Sequence, residues 1–498
     1  MMQYLSNIKK TIGKNLDLFF VVIIFVLSFF LRWYNISDNL FFGFEQGRDA
    51  IQATQIASLQ DFVLVGPKTD IDGIFHGASY YYLLALLYSV GSGDPIIAIF
   101  FLIFFSTIAP IAMYFLFLDM LKSRKWAFIG GTITAISFEY ISYARWLSNV
   151  NPGVPLLALA LLFLWLFKSK DNELYFLLSV VSAFLAAQFQ FILCLWFIFF
   201  YSSLFLLKYI KFPSRRTLAF SLISIFIIYF PYIVFNFRHD FISIVGVQNY
   251  LSQGESNFRF TGSLVVYSKQ LFESFKDNTA LGITGTILFL AVISEIIIRS
   301  ILNKTLDPKV ELFLLWIGMT IPVVFFPESI LLKQLYMPVG LGFIGLLVLF
   351  LFNLQTLKYR TILFFFVLVI IGRQLVINIY FLKTNQHNFF VTIQDGHNLA
   401  DQLSVLEQID VDSGGLVHRV KALTIPYYHE ESWSYLNSYY HSDSKLDDGA
   451  DLIYVIIERP VEDFWKDRWI SDLGETDLVF VEKFNYFTLE KRLKNRSN

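Results

Sequence analysis

Cysteine and charge are both scarce in this sequence of 498 residues. Only 16% of the residues are charged and 56% are hydrophobic, whereas soluble domains average about 25% charged residues. This composition excludes an ordinary soluble enzyme and indicates a polytopic membrane protein. The formal net charge of -1 excludes a general nucleic-acid binder, which needs a basic excess to neutralise phosphates. The single cysteine, Cys194, excludes an intrachain disulfide.

Long apolar runs take the place of the missing charges. A helix needs about 20 apolar residues to cross the hydrocarbon core. The run Leu174–Leu207 would be about 51 Å long as one helix, so we interpret it as two short spans that turn near Gln188–Gln190. The sequence thus predicts about eleven transmembrane helices, the other nine being Leu18–Leu31, Pro95–Leu118, Trp126–Tyr143, Trp146–Phe167, Thr217–Phe237, Thr279–Ile298, Leu312–Pro327, Gln334–Leu357 and Thr361–Phe381.

Lys and Arg residues predict the orientation, because short cytoplasmic loops carry an excess of them. Every segment that this topology places inside is basic, whereas the first outer loop, residues 32–94, has seven acidic and three basic residues. The N-terminus is therefore predicted to be cytoplasmic and the C-terminus extracytoplasmic, in a multi-pass protein of the plasma membrane. Leu18–Leu31 is followed by Arg32 and Trp33 rather than by a small-residue cleavage site, so we interpret it as an uncleaved first span.

Three regions are predicted to lie outside the membrane: the first outer loop, a second outer loop at about 238–278, and residues 383–498. In the third region charges become frequent. Leu399, Leu403 and Leu406 share one helix face, and Asp451–Glu458 and Leu478–Leu489 have the pattern of strands. The sequence predicts a transmembrane domain at 1–382 and a small soluble α/β domain at 383–498.

The first outer loop has the densest chemistry in the chain. If Arg48–Gln60 is helical, Glu45 and Asp49 lie on the same side of its first turn, where one could act as a base and the other could orient it or a nearby cation. In the alternative, Glu45 caps the helix and Asp49 pairs with Arg48. His76 could donate to a phosphate or be structural. No histidine spacing predicts a zinc site.

Several motifs carry a resemblance to a known family. They are Phe44-Glu45-Gln46-Gly47-Arg48-Asp49, Gly66-Pro67-Lys68-Thr69, Phe75-His76-Gly77 followed by tyrosines, Tyr143-Ala144-Arg145-Trp146, Asn149-Val150-Asn151-Pro152, and the pair Gln188 and Gln190. Their order resembles that of bacterial members of the GT-C superfamily of integral-membrane glycosyltransferases, and most of all family 39, which includes protein O-mannosyltransferases and lipid A aminoarabinose transferases. The resemblance covers most of the first 240 residues.

The resemblance implies a GT-C fold and a catalytic carboxylate at Glu45, where the family usually has Asp. His76 matches a histidine in a segment typical of the family, whereas the other residues of that segment are different in this chain. The implied donor is a polyprenyl-phosphate sugar, since no nucleotide-sugar pool is expected outside the membrane, and the acceptor would be a glycan, lipid or protein. Glu45 would be the general base, with no cofactor required and a divalent metal left open. The candidate cations for stabilising the charge of the donor phosphate are Arg48, Lys68, Arg145, Arg238, Lys333 and Arg373.

Arg373 stands out because it interrupts an uncharged run, and an intramembrane charge indicates function by default. In the alternative, it snorkels to the outer interface or pairs with Glu139.

Two other functions compete with the glycosyltransferase. The first is a lipid or sugar transporter or flippase, although polar residues gather in one outer loop rather than at mid-membrane. The second is a non-catalytic receptor or assembly subunit.

Overall fold

A computed structural model describes most of the chain. The described residues are 2–254, 260–283, 286–287, 289–290, 294–295, 298, 306–326, 332–355, 360–384, 394, 397–440, 447, 449–459 and 461–494.

Helices dominate the described structure. The N-terminal half has α1 (Met2–Trp33), α2 (Ile36–Asn39), α3 (Phe44–Ala57), α4 (Ser79–Val90), α5 (Pro95–Ser106), α6 (Ile108–Leu121), α7 (Arg124–Ile136), α8 (Phe138–Arg145), α9 (Gly153–Lys170), α10 (Glu173–Phe189), α11 (Ile192–Leu206) and α12 (Arg215–Arg238). The C-terminal half has α13 (Ile242–Gly254), α14 (Phe260–Thr279), α15 (Pro308–Gly318), α16 (Met337–Leu354), α17 (Arg360–Thr384), α18 (Leu399–Ser413), α19 (Glu431–Tyr440) and α20 (Asp463–Asp472), with 3-10 turns at Ile321–Phe325 and Lys333–Tyr336.

The described residues contain seven helical stretches that are long and apolar enough to cross a membrane: Asn15–Trp33, Pro95–Leu121, Gly153–Lys170, Arg215–Arg238, Pro308–Phe325, Lys333–Leu354 and Phe365–Lys383. Three shorter apolar helices are α4, α10 and α11. The predicted turn near Gln188–Gln190 is present, because α10 ends at Phe189 and α11 begins at Ile192. The chain is thus a polytopic helical membrane protein, as predicted. Much of the predicted span Thr279–Ile298 lies outside the described residues.

Pro95–Leu118 is divided at Thr107 into α5 and α6, and two further predicted spans also differ from the observed helices. Trp126–Tyr143 is divided at Ser137, whose extended backbone (ψ 122°) separates α7 from α8. Trp146–Phe167 begins seven residues late, at Gly153, because residues 146–152 form a turn. In that turn, Asn151 Nδ2 donates to the Ala144 carbonyl at 2.7 Å. Apolarity alone does not reveal this turn, since a buried polar turn can lie inside a run of low charge.

Local capping fixes the start of α5 and of α18. Asp94 Oδ1 accepts from the Ile96 N–H at 2.7 Å, and Pro95 occupies the first turn of α5. Asn398 Oδ1 accepts from the Asp401 N–H at 2.8 Å at the start of α18. That helix ends at Gly414, whose φ of 54° is a left-handed conformation that favours glycine.

The C-terminal region contains a four-stranded sheet in the order β3-β4-β6-β5. The strands are β3 (Arg419–Leu423), β4 (Leu452–Glu458), β5 (Thr476–Lys483) and β6 (Phe487–Lys494), and a separate hairpin in the first outer loop has β1 (Val65–Lys68) and β2 (Phe75–Gly77). β3 and β4 are parallel, whereas the other neighbours are antiparallel. All of β4 is buried, which explains its continuous apolar run.

The two faces of β4 belong to different apolar clusters. Tyr454 and Ile456 lie in a cluster with residues of α18 and α19, whereas Ile453 and Val455 pack against Trp469 of α20. The first cluster continues into α3 and α4 of the first outer loop. The first outer loop and the C-terminal sheet region therefore share a core.

Candidate active site

The start of α3 is held in place by Gln46. Gln46 Oε1 accepts from the Gly43 N–H at 3.1 Å, and Gln46 Nε2 donates to the Leu147 carbonyl at 3.1 Å. Gln46, which follows Glu45, is therefore a buried link between α3 and the turn after α8. Because α3 begins at Phe44, earlier than predicted, Glu45 lies inside its first turn.

Glu45 is exposed, and within the described part of the chain its carboxylate accepts no hydrogen bond. Surrounding protein atoms displace water and raise the pKa of Glu45; the Arg48 guanidinium opposes this shift, and the Asp70 carboxylate adds to it. A carboxylate with a raised pKa and an open face has the chemistry of a general base.

Asp49 is one helical turn from Glu45 but has a different environment. It is only 4% exposed. Arg48 Nε donates to Asp49 Oδ1 at 2.9 Å, Arg48 Nη2 lies 2.8 Å from the same oxygen, and the Tyr81 hydroxyl donates to it at 3.2 Å. Burial raises the pKa of Asp49 to about 6, against the lowering effect of Arg48. Of the two alternatives from the sequence, the structure therefore has the pairing of Asp49 with Arg48.

His76 lies on β2 close to the same arginine. Its Nδ1 accepts from the Phe191 N–H at 3.2 Å, so the proton of the neutral ring is on Nε2. Burial, and secondarily the charge of Arg48, lowers the pKa of His76 to about 4. Near neutral pH this ring is an uncharged N–H donor. Arg48 is therefore close to both Glu45 and His76, and the pair Arg48 and His76 supplies one cationic and one neutral donor.

The other predicted cations have separate environments. Lys68 lies 2.7 Å from Asp72 on the exposed hairpin. Arg145 is buried and donates to the carbonyls of Arg32 and Tyr34 at 2.8 and 2.7 Å, at the C-terminal end of α1. These contacts occupy Arg145 with backbone rather than with the group around Glu45.

Arg373 is exposed on α17, and among the described residues it has no ion-pair partner. Its neighbour Gln374 is buried and donates to the Asp277 carbonyl at 2.7 Å. Arg238, at the end of α12, is also exposed, whereas Lys333 lies 2.8 Å from Asp277. The described contacts link none of these three cations to Glu45.

A buried polar network around Glu139 was not predicted from the sequence. Glu139 is fully buried and accepts from Tyr143 Oη at 3.2 Å, from Ser274 Oγ at 2.8 Å and from Asn278 Nδ2. These partners replace the ion pair with Arg373 that the sequence left open. No local signal reveals the network, because Ser274 and Asn278 are more than 130 residues from Glu139.

The C-terminal region contacts the candidate catalytic helix directly. The rings of Phe44 and His429 are 4.7 Å apart. A Cβ on Gly47 would lie 2.3 Å from the Ser432 backbone nitrogen, so α3 and α19 meet backbone to backbone there. The part of the chain that the structure describes contains no group of three or more His, Cys, Asp or Glu side chains placed to hold a metal ion.

Together these features define an integral membrane protein with many apolar helices, a carboxylate, arginine and histidine group on the segment between its first two spans, and a small α/β domain packed on that segment. No model of a protein family matches the chain, and no curated protein matches it.

Solved structures do match. The chain is similar to ArnT from Cupriavidus metallidurans bound to undecaprenyl phosphate, with a TM-score of 0.58 and 10% identity over 94% of this chain and 97% of that one. The chain is also similar to the apo state of that protein, with a TM-score of 0.56 and 10% identity over 94% of this chain and 97% of that one. The likeness shows that the chain has the fold of ArnT, in agreement with the fold that the sequence resemblance implies.

Proposed function

We propose that this protein is a membrane glycosyltransferase that moves a sugar from a polyprenyl-phosphate donor to an acceptor hydroxyl at the outer face of the membrane. The observation that carries the proposal is the group around Arg48, whose charge acts both on the open carboxylate of Glu45, with its raised pKa, and on His76, a neutral N–H donor. The fold supports it, since it is that of ArnT, which has been solved with undecaprenyl phosphate bound.

The proposed reaction is one displacement. Glu45 takes the proton of the acceptor hydroxyl, and the hydroxyl oxygen bonds to the anomeric carbon of the donor. The bond between that carbon and the phosphate oxygen breaks, and polyprenyl phosphate leaves with the electron pair. Arg48 and the Nε2–H of His76 stabilise the negative charge of the leaving phosphate. Asp49 positions Arg48 rather than reacting.

The domain division and the sidedness belong to the same proposal. Residues 1–382 would hold the membrane helices and the reaction site, and residues 383–498 the extracytoplasmic domain. The basic segments between predicted spans support a cytoplasmic N-terminus. This orientation places Glu45 and the C-terminal domain on the side where a lipid-linked donor is needed.

The donor proposal is tested by binding of undecaprenyl phosphate to the purified protein. Arg48→Ala should weaken binding about ten- to a hundredfold, because a charge-assisted hydrogen bond contributes about 1.5–3 kcal/mol. The matched control is Lys269→Ala, which removes an exposed cation of the second outer loop. Since Arg48→Ala leaves Asp49 without its cation, thermal unfolding should be recorded alongside. Equal affinities in a folded Arg48→Ala and the parent would contradict the assignment.

A further inference from the structure

Three aromatic residues form an exposed cluster on the C-terminal region, and the exposed Tyr428 follows one of them, Tyr427, in the chain. Tyr428 is 87% exposed, Phe464 65%, Trp465 42% and Tyr427 38%. The ring centroids of Tyr427 and Trp465 are 5.7 Å apart, and those of Phe464 and Trp465 are 5.3 Å apart. Single exposed apolar side chains are normal, whereas contiguous apolar patches mark interaction sites. We call these four residues the aromatic platform.

The backbone at Tyr428 is held in an unfavourable conformation. Its φ is 68°, in the left-handed region that residues with a Cβ rarely adopt. The segment around it is pinned by Thr424, whose hydroxyl donates to the Pro426 carbonyl at 2.9 Å and accepts from the His429 N–H at 3.1 Å. The Ile425 N–H also donates to Glu458 at 2.7 Å. These contacts fix the backbone on both sides of Tyr428 and hold its side chain in an exposed position.

The platform is continuous with the candidate active site. Tyr428 is followed by His429, whose ring contacts that of Phe44. Phe44 immediately precedes Glu45 on α3, and Gly47 on the next part of the same helix meets the backbone of Glu431 and Ser432. An extended ligand bound to the platform could therefore reach Glu45, the carboxylate proposed to activate the acceptor.

The surroundings of the rings favour a neutral ligand with both apolar and polar faces. On α20, exposed Asp463, Asp467 and Arg468 flank Phe464 and Trp465 in the chain. Carboxylates beside the rings disfavour an anionic membrane surface, and the mixed signs disfavour a polyanion. A pyranose ring has a face of C–H groups, which carry partial positive charge and suit the negative face of an aromatic ring, and its hydroxyl edges suit charged neighbours.

From these observations we propose that the aromatic platform binds the acceptor, and that the acceptor is a carbohydrate chain. The inference rests on the proposed function for the role of the bound chain as acceptor, whereas the binding itself depends only on the platform. It deepens that function by naming the acceptor class and the surface that selects it.

The test uses the full chain in nanodiscs and a set of short linear neutral oligosaccharides, each titrated separately. The parent should bind at least one of them, and Trp465→Ala and Phe464→Ala should each weaken that binding about tenfold. Tyr428→Asn should do the same without disturbing the backbone, because Asn tolerates a positive φ. The matched control is Phe62→Ala, since Phe62 is 67% exposed, like Phe464, but lies in the first outer loop.

Undecaprenyl phosphate binding, measured on the same samples, should be unchanged in all four variants. Binding of no oligosaccharide by the parent, or equal oligosaccharide affinities in parent and platform variants, would overturn the inference while the lipid result still tests the proposed function. Loss of Trp465 fluorescence with bromine-labelled lipid, taken as the difference between parent and Trp465→Phe, would place the platform against the bilayer and also overturn it. Oligosaccharide binding without undecaprenyl phosphate binding would keep the platform and refute the proposed donor.

Discussion

At the scale of single residues, the candidate site is defined by three side chains whose pKa values are shifted. The pKa of Glu45 is raised, Arg48 is held as a cation by Asp49, and the pKa of His76 is lowered to about 4. Displacement of water by surrounding protein atoms has opposite consequences for the two groups near Arg48, because it disfavours the charged form of each. Glu45 therefore gains basicity, whereas His76 loses its charge.

The neutrality of His76 gives a pH prediction. Its folded-state pKa lies below the ordinary value of about 6.5, so the ring stays uncharged as the pH falls from about 8 to about 5.5. His76→Ala should weaken undecaprenyl phosphate binding about fivefold, by loss of a neutral hydrogen bond, and by the same factor at both pH values. Ionisation of the phosphate and of Asp49 affects parent and variant alike, so the ratio isolates His76. A larger ratio at about pH 5.5 would mean that His76 is protonated there, contrary to this account.

Motif reasoning found the residues of the site but not all of their partners. Glu45, Arg48, Asp49 and His76 could be named from the sequence because three of them lie on one short helix and the fourth follows in the same loop. The contacts of Arg145 with the end of α1 could not be predicted, since they join backbone carbonyls more than 100 residues away. Only the folded chain determines such pairs.

At the scale of elements, α3 depends on what packs against it. Gln46 tethers its start to the turn after α8, and Gly47 allows close approach of α19. Apolar runs predicted most membrane helices, but the break at Ser137 and the turn at 146–152 were missed. Both breaks are stabilised by side-chain hydrogen bonds to distant or buried groups, including Ser137 Oγ to Asn278 Oδ1 at 2.6 Å, and hydropathy contains no information about those bonds.

Gly47→Ala tests the contact between α3 and α19. The added Cβ would meet backbone atoms of Glu431 and Ser432, which cannot rotate away, so we expect a destabilisation of about 1–3 kcal/mol and a C-terminal region more sensitive to protease. Thermal unfolding and limited proteolysis measure both effects. Gly372→Ala is the control, because no heavy atom lies within 4 Å of a Cβ at that position. Equal protease sensitivity in the two variants would contradict close packing at Gly47.

At the scale of the whole molecule, the first outer loop and the C-terminal sheet region share one apolar cluster. The proposed extracytoplasmic domain therefore packs directly against the segment that carries the candidate site and does not form an independent unit. Sequence composition predicted a small α/β region, but no pattern in either segment indicated that α3 and α19 pack together. Contacts across more than 300 residues, such as Tyr435 Oη to the Gly93 carbonyl, arise only in the fold.

The proposed sidedness is a second property of the whole chain, and it can be measured by thiol labelling. In a Cys194→Ser background, a cysteine replacing Leu416 should react with a membrane-impermeant maleimide in intact spheroplasts, whereas one replacing Lys122 should react only after lysis. Leu416 is 64% exposed and the Lys122 side chain 73%, so both sites are accessible within the protein itself. The reverse pattern would refute an outward-facing site.

The central claim is that Glu45 acts as the base in sugar transfer from a polyprenyl phosphate, and sugar transfer itself tests it most directly. Purified parent and Glu45→Gln should be supplied with undecaprenyl-phosphate sugars and an envelope extract as acceptor, and the transferred sugar counted. The account predicts transfer by the parent that declines as the pH falls through the raised pKa of Glu45, and at least about a hundredfold slower transfer by a folded, lipid-binding Glu45→Gln. Near-parental transfer by Glu45→Gln, or transfer from a soluble nucleotide sugar instead, would contradict it.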